Sequence, residues 1–287
     1  MNDPLQELVD QLQVETLEHN LFRGQSVAIV GTRVFGGQVL GQAVMAAART
    51  VDDRVLHSLH GYFLRPGDTR HPIVYDVERI RDGSSFTTRR VVAIQKGRPI
   101  FNLAASFQVP EVAFEHQEPM PGRSGPDGLA SESDLRRAMQ ERLPPKVREA
   151  VTRERAIEIR PLCPADLMPS EPREPVSDSW IRACAPLPDE PVLHQAMLAY
   201  ASDFGLLRTA MLPHGLHFLQ PELQVASLDH AMWFHRPFRM DEWLLYKTDS
   251  PSASGARGFC RGSLYTQDGR LVASVAQEGL IRVHATR

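Results

Sequence analysis

Three stretches of this chain occur twice, in the same order, and that duplication constrains the fold more than any other feature. The segment IQKGRPIFNLAASF (94–107) resembles TQDGRLVASVAQEG (266–279). Each reads as a strand, a tight turn with glycine in the left-handed position, and a second strand. Upstream, GYFLRPG (61–67) resembles MWFHRPF (232–238), and further upstream GGQVLGQAVMAAART (36–50) resembles HQAMLAYASDFGLLRTA (194–210). The last two are apolar helices that end near Arg-Thr. A helix followed by long strands rich in Val, Ile, Phe and Tyr is an α+β unit, one long helix against an antiparallel sheet. A helix apolar on most of its faces needs a sheet that curls around it. The repeats place a first unit at 13–110 and a second at 151–284, joined by a linker at 111–150. The stretch VPEVAFEHQEPMPGRSGPDGLASESDLRRAMQERLPP (109–145) is rich in Pro, Gly, Ser and Glu, and reads as partly mobile with a short helix at 131–142.

The second helix carries a charge in an unexpected place. Asp189 or Glu190 can cap its start, Pro191 suits its first turn, and Pro213 and Gly215 stop it. Asp203 then falls in the interior, on one apolar stripe with Val192, Ala196, Ala199, Tyr200, Leu207 and Ala210. An ionised carboxylate buried without partners costs several kcal/mol or takes up a proton. Such a residue is paired, neutral or functional. Two extended segments offer partners. In RLVASVAQEGLI (270–281), alternation puts Gln277 on a face with Leu271, Ala273, Val275, Gly279 and Ile281. In LQVASLDHAMW (223–233), Ser227 shares a face with Leu223, Val225, Asp229, Ala231 and Trp233. If the carboxylate, hydroxyl and amide converge, they form a small polar pocket in an apolar cleft, able to hold a water and take its proton. The alternative is a buried hydrogen-bonded triad that satisfies only itself.

A net charge of −3 gives no nucleic-acid footprint. The start MNDPLQELVDQLQVE lacks a basic region followed by an apolar one, so it is not a secretory signal. No apolar run approaches the ~18 residues of a membrane span. Cys163, Cys184 and Cys260 are dispersed, which suits free thiols in a reducing compartment and a cytoplasmic protein. There is no GxSxG elbow for a serine hydrolase. The two histidines of HSLH (57–60) point to opposite faces of an extended segment, which disfavours a metal pair. His230 and His235 read as structural or cleft-lining residues.

Many ordered segments make the chain resemble a known family. They include LFRGQS, VFGGQVLGQA, YFLRPGD, YDVERIRDGSSF, RRVVAIQKGRPIF, HQAMLAYASDF, DHAMWFHRPF, ARGF and YTQDGRLVASVAQEG, and they cover nearly the whole sequence. The chain resembles the acyl-CoA thioesterase II family, whose fold is the double hotdog. That resemblance implies two repeats, each a long helix wrapped by an antiparallel sheet. It implies hydrolysis of fatty acyl-CoA to free fatty acid and CoA, with no cofactor and no metal. It also implies that the residues at Asp203, Ser227 and Gln277 bind and activate the hydrolytic water. Some relatives have Thr where this chain has Ser227. Serine keeps the donor and acceptor but lacks the methyl that stiffens the rotamer.

The thioester carbonyl needs donors for its developing charge. Backbone N–H groups at the start of the first helix, at Gly36 and Gly37, suit that role; close helix–sheet packing is the other use for these glycines. His57, Arg65 and Arg257 are the remaining substrate-binding candidates; Arg65 and Arg257, with Arg236 and Arg261, either meet CoA phosphates or stay solvated. Aligning the repeats puts Ala105 where Gln277 stands and Val44 where Asp203 stands, so a single active site is expected, in the second unit, with the first unit as its wall. The family also implies a homo-oligomer, dimer or tetramer. Two rival functions remain. A hydratase of enoyl-CoA on the same fold needs an Asp–His pair, and His194 lies about 180° around the helix from Asp203 and roughly 13.5 Å along it. A non-catalytic acyl-CoA-binding sensor needs no turnover at all.

Overall fold

The computed structural model describes residues 3–29, 31–142, 148 and 152–284. Of the linker expected at 111–150, residues 143–147 and 149–150 lie outside the described residues. The first half contains α1 (Pro4–Leu12), β1 (Glu15–Glu18), β2 (Leu21–Gly24), α2 (Gly36–Ala48), β3 (Val55–Phe63), β4 (Ile73–Asp82), β5 (Phe86–Gln95) and β6 (Arg98–Gln108). A short linker helix, α3 (Glu132–Ala138), follows. The second half contains β7 (Ile157–Pro161), β8 (Ser179–Ala183), α4 (Pro191–Ser202), α5 (Arg208–Met211), β9 (Leu223–Ser227), β10 (Asp229–Phe234), β11 (Leu244–Ser254), β12 (Arg257–Thr266) and β13 (Leu271–Val283).

One antiparallel sheet runs through both halves in the order β1-β2-β4-β5-β6-β3-β10-β13-β12-β11-β8-β7, with β9 added on β13. Read outward from the β3–β10 joint, the two halves have the same order. The duplication seen in the sequence is therefore a duplication of topology. At the joint Leu59 faces Met232 and Gly61 faces His230. The tight β5–β6 hairpin has Lys96 and Gly97 at φ 50° and 71°, the positive-φ pair that a two-residue turn demands. The equivalent β12–β13 turn has Gly269 at φ 89°.

The curled sheet wraps α2 and α4. Residues Gly37 to Ala47 of α2 and Leu193 to Ser202 of α4 are buried, which is why their sequences are apolar nearly all round. The two helices cross antiparallel at very short range. A Cβ on Gly37 would lie 2.3 Å from the Tyr200 carbonyl oxygen, and one on Gly41 would lie 2.9 Å from that of Ala196. Among the buried polar groups, Gln42 donates to the carbonyls of Gln11 and Gln25 and accepts from the Tyr75 hydroxyl.

Two sequence expectations are corrected here. The second helix does not run through 194–210: α4 ends at Ser202, and Asp203 is its C-cap at φ −80°, ψ −11°. Gly205 at φ 74° turns the chain before α5 resumes. The apolar period survives the break because Leu206, Leu207 and Ala210 return to the same core. Pro191 does occupy the first turn, although the Glu190 cap makes no side-chain bond. The segment 223–233 is not one strand. Ser227 faces Gly279 and Ala231 faces Ala276, so four steps along β9 and β10 span three along β13. The extra residue is a β-bulge at Leu228–Asp229, and it flips the side-chain alternation. His230, Met232 and Phe234 therefore turn inward, while Asp229, Ala231 and Trp233, expected on Ser227's face, leave it.

Candidate active site

The C-terminal end of α4 puts Asp203 against three elements at once. Gln277 on β13 donates from Nε2 to Asp203 Oδ1 at 2.8 Å. Ser227 at the end of β9 donates from Oγ to the same oxygen at 3.3 Å. The backbone N–H of Gly37, in the first turn of α2, donates to Oδ2 at 2.9 Å. The carboxylate, hydroxyl and amide thus converge as the face analysis allowed. Ser227 and Gln277 reach the site together because Ser227 stands opposite Gly279, two residues along β13 from Gln277 and on the same face.

Three donors point at the Asp203 carboxylate, one of them at a helix N-terminus. The α2 peptide dipoles point their positive end at the carboxylate. Gly37's N–H, expected at a substrate carbonyl, is already engaged by Asp203. Gly36 makes the approach possible: a Cβ there would lie 2.6 Å from Asp203 Oδ2 and 3.0 Å from Phe63. Gln277 is almost fully buried, and its Oε1 has no hydrogen-bond partner among the described residues. An amide whose nitrogen is used and whose oxygen is unpaired can accept a hydrogen bond from a further group.

Behind this layer sits His230, wholly buried on β10, with Nε2 2.8 Å from Ser202 Oγ. Burial pulls its pKa down to about 4, with the Asp203 charge pulling the other way. His230 is thus a neutral ring under the helix end. The flipped alternation at the bulge is what brings it there, and strict alternation from the sequence hides it. His194 is distant in role as well as in position: its Nδ1 accepts the Met240 N–H.

Asp203, Ser227 and Gly36 open on a cavity of about 570 Å³. Its walls include Phe35, Phe63, Phe101, Phe204, Leu207 and Val225, so most of it is apolar and aromatic. Phe35 stacks on Phe204 with ring centroids 4.5 Å apart. Arg65 lies on the exposed rim of this cavity and donates to the Pro99 carbonyl at 2.7 Å. The other two binding candidates do not line it. His57 Nε2 lies 2.8 Å from Ser106 Oγ, and Arg257 pairs with Glu278 at 2.9 Å. Sequence reasoning did not find four cavity residues, Glu132, Arg136, Arg155 and Arg208. Two come from the linker helix, and nothing in a polar linker signals that it folds back over a cleft.

Fold and site together define a class: a double hotdog protein with one carboxylate-centred site at the meeting of its two helices. Two family models match the chain, "Acyl-CoA thioesterase N-terminal domain" over residues 26–108 and "Acyl-CoA thioesterase" over residues 168–280. The chain belongs to the acyl-CoA thioesterase family. It is 40% identical to acyl-CoA thioesterase 2 of Haemophilus influenzae over 283 residues, covering 98% of this chain and 99% of that one. The crystal structure of an acyl-CoA thioesterase II from Mycobacterium marinum is 44% identical and covers 97% of this chain and 99% of that one, with a TM-score of 0.79. A protein with a hotdog fold from Alicyclobacillus acidocaldarius superposes with a TM-score of 0.76 at 18% identity, covering 97% of this chain and 99% of that one; this likeness bears on the fold alone.

Proposed function

We propose that this protein hydrolyses fatty acyl-CoA to fatty acid and CoA with a water held by Asp203, Ser227 and Gln277. The observation that carries the mechanism is the unspent hydrogen-bonding capacity at the meeting point. A carboxylate has about four acceptor sites; Asp203 uses three, two on Oδ1 and one on Oδ2. The remaining site on Oδ2 can accept a hydrogen bond from a water in the cavity, and the unpaired Oε1 of Gln277, a residue that does not line the cavity, is the second unspent acceptor. As the water oxygen bonds to the thioester carbon, Asp203 takes its proton and the carbonyl becomes an oxyanion. The oxyanion collapses, the carbon–sulfur bond breaks, and the proton passes to the departing thiolate of CoA. The start of α2 at Gly36 supplies the positive end of a helix dipole to the charge that develops. The acyl chain lies in the aromatic cavity beside Asp203. Arg65 is the candidate for CoA phosphates at the rim.

The same reading takes the unit 13–110 as wall and support and the unit 151–284 as bearer of the base. It takes the protein as a cytoplasmic dimer or tetramer, in keeping with three free cysteines, Cys163, Cys184 and Cys260. No helix among the described residues is long and apolar enough to cross a membrane.

Release of free thiol from acyl-CoAs of several chain lengths tests the mechanism. Asp203→Asn keeps the shape and removes the base, and kcat falls by about 100-fold or more, the usual contribution of a general base. Full hydrolysis by Asp203→Asn would sink the mechanism. Binding of acyl-CoA without turnover by the wild type would favour the sensor.

A further inference from the structure

The linker returns to the site with charge. Ser131 caps α3 by accepting the Asp134 N–H, and Glu132 in the first turn is buried. Glu132 Oε1 accepts from Arg136 Nη2 and, at 3.1 Å, from Arg208 Nη2. Arg208 Nε is buried without a partner among the described residues. Beside them stands Arg155, its guanidinium 5.1 Å from the centroid of Phe204. Arg155 makes no hydrogen bond or ion pair among the described residues. Burial lowers its pKa to about 10, with the charge of Arg136 adding to the effect and Glu132 opposing it. It therefore stays a cation at neutral pH.

All four side chains line the cavity that holds Asp203. Three guanidiniums here meet one carboxylate, and the other carboxylate of the cavity, Asp203, is already engaged by three donors. A partly desolvated cation with no oxygen bonded to it among the described residues is costly. Guanidinium geometry suits carboxylate and phosphate oxygens in pairs. Phe204, the ring under Arg155, directly follows Asp203 in the chain and lines the same cavity.

We infer that Arg155, backed by Arg136 and Arg208, is an anion subsite in the wall of the substrate cavity, taking a phosphate or carboxylate of the thioester. The inference rests on the thioesterase reading for its ligand. Two parts of a thioester carry such oxygens: the phosphates of CoA, and the free carboxylate of an acyl chain that ends in one.

Three substrates of one chain length separate the sources: the acyl-CoA, the acyl-pantetheine, which lacks the nucleotide, and the ω-carboxyacyl-CoA. Arg155→Met is compared with Arg155→Lys, which keeps the charge. Loss of one charge-assisted contact corresponds to about a ten- to hundredfold fall in kcat/KM, carried by KM and partly restored by lysine. If the source is CoA phosphate, the wild-type preference for acyl-CoA over acyl-pantetheine collapses toward one in Arg155→Met. If it is the chain's carboxylate, the preference for ω-carboxyacyl-CoA over acyl-CoA collapses. Both ratios staying at their wild-type values overturns the inference, including where Arg155→Met lowers the melting temperature, since that is a structural role only. A second readout needs no turnover: inorganic pyrophosphate or glutarate raises the melting temperature of the wild type and not of Arg155→Met. An anion effect without hydrolysis keeps the subsite and removes the thioesterase reading. Hydrolysis with unchanged ratios and no anion effect does the reverse.

Discussion

The proposed mechanism needs a carboxylate that is anchored and yet has an oxygen to spare, and the donors on Asp203 are divided unequally between its two oxygens. Oδ1 is filled by Gln277 and Ser227, which fix the rotamer, while Oδ2 takes only the Gly37 N–H. A methyl added at Gly36 would come to 2.6 Å from Oδ2. Gly36→Ala should therefore cost about 100-fold in kcat/KM, the scale of a misplacement of about 1 Å, with the fold intact by circular dichroism. Retention of near wild-type rates by that variant would place the water elsewhere. Ser227→Thr keeps the donor and should stay within about tenfold of the wild type, whereas Ser227→Ala leaves Oδ1 with one donor and should fall below it. His230 carries a stability prediction. Its native pKa near 4 lies below the ordinary 6.5, so the unfolded chain binds the proton first as pH falls. This residue should take away up to about 1.4 kcal/mol of stability per pH unit between those values, with no contribution above them. Urea midpoints from pH 7 to 5 check it: His230→Gln should flatten that acid slope, and an unchanged slope removes His230 as the cause.

At the scale of elements, two short irregularities aim the site. The turn at Gly205 follows the end of α4 at Ser202 and leaves Asp203 at the helix end facing the start of α2. The bulge at Leu228–Asp229 lets Ser227 and His230 face the same helix end from consecutive strands along one edge of β13. Asp229 holds that bulge by accepting the Glu278 N–H through Oδ1 at 2.6 Å. Asp229→Ala should cost about 1–2 kcal/mol by urea denaturation, the penalty of an unsatisfied backbone donor, and lower turnover as Ser227 shifts. Asp229→Asn keeps an acceptor and should recover most of both; equal losses in the two variants would mean that the charge, not the bulge bond, matters. These irregularities mark where the sequence was legible and where it was not. Apolar periods gave both wrapped helices, and alternation gave the Gln277 face, because burial on one side writes itself into spacing. A bulge changes no composition: LQVASLDHAMW alternates plausibly straight through it. Gly205 was visible as a glycine, but the apolar period continued past it. The linker's return was invisible because ion pairs such as Glu132 with Arg208 have no sequence period.

Across the whole molecule, the site belongs to neither half. The Asp203 carboxylate and both side-chain donors come from the second half, and the Gly37 N–H comes from the first helix. The sheet joint at β3–β10 holds the halves in register, with Trp233 edge-on to His60 at 5.1 Å. A duplicated fold raises the question of a second site at the symmetric position, and the register answers it. Gly61 faces Leu103, and its match Met232 faces Val275. Two residues on, Ala105 occupies the place of Gln277, as the sequence alignment of the hairpins also has it. No residue of α2 is a carboxylate, so no alignment of the helices supplies a second base. The first half has the same frame and one backbone donor, with Ala105 in place of Gln277 and no carboxylate in α2. A non-hydrolysable thioether analogue of acyl-CoA, titrated calorimetrically, should bind once per chain, and Asp203→Asn should leave that stoichiometry at one while lowering turnover of the thioester by about 100-fold or more. Two equivalents per chain would show that the first half makes a binding site of its own, and the division of labour argued from Ala105 and α2 would then fail.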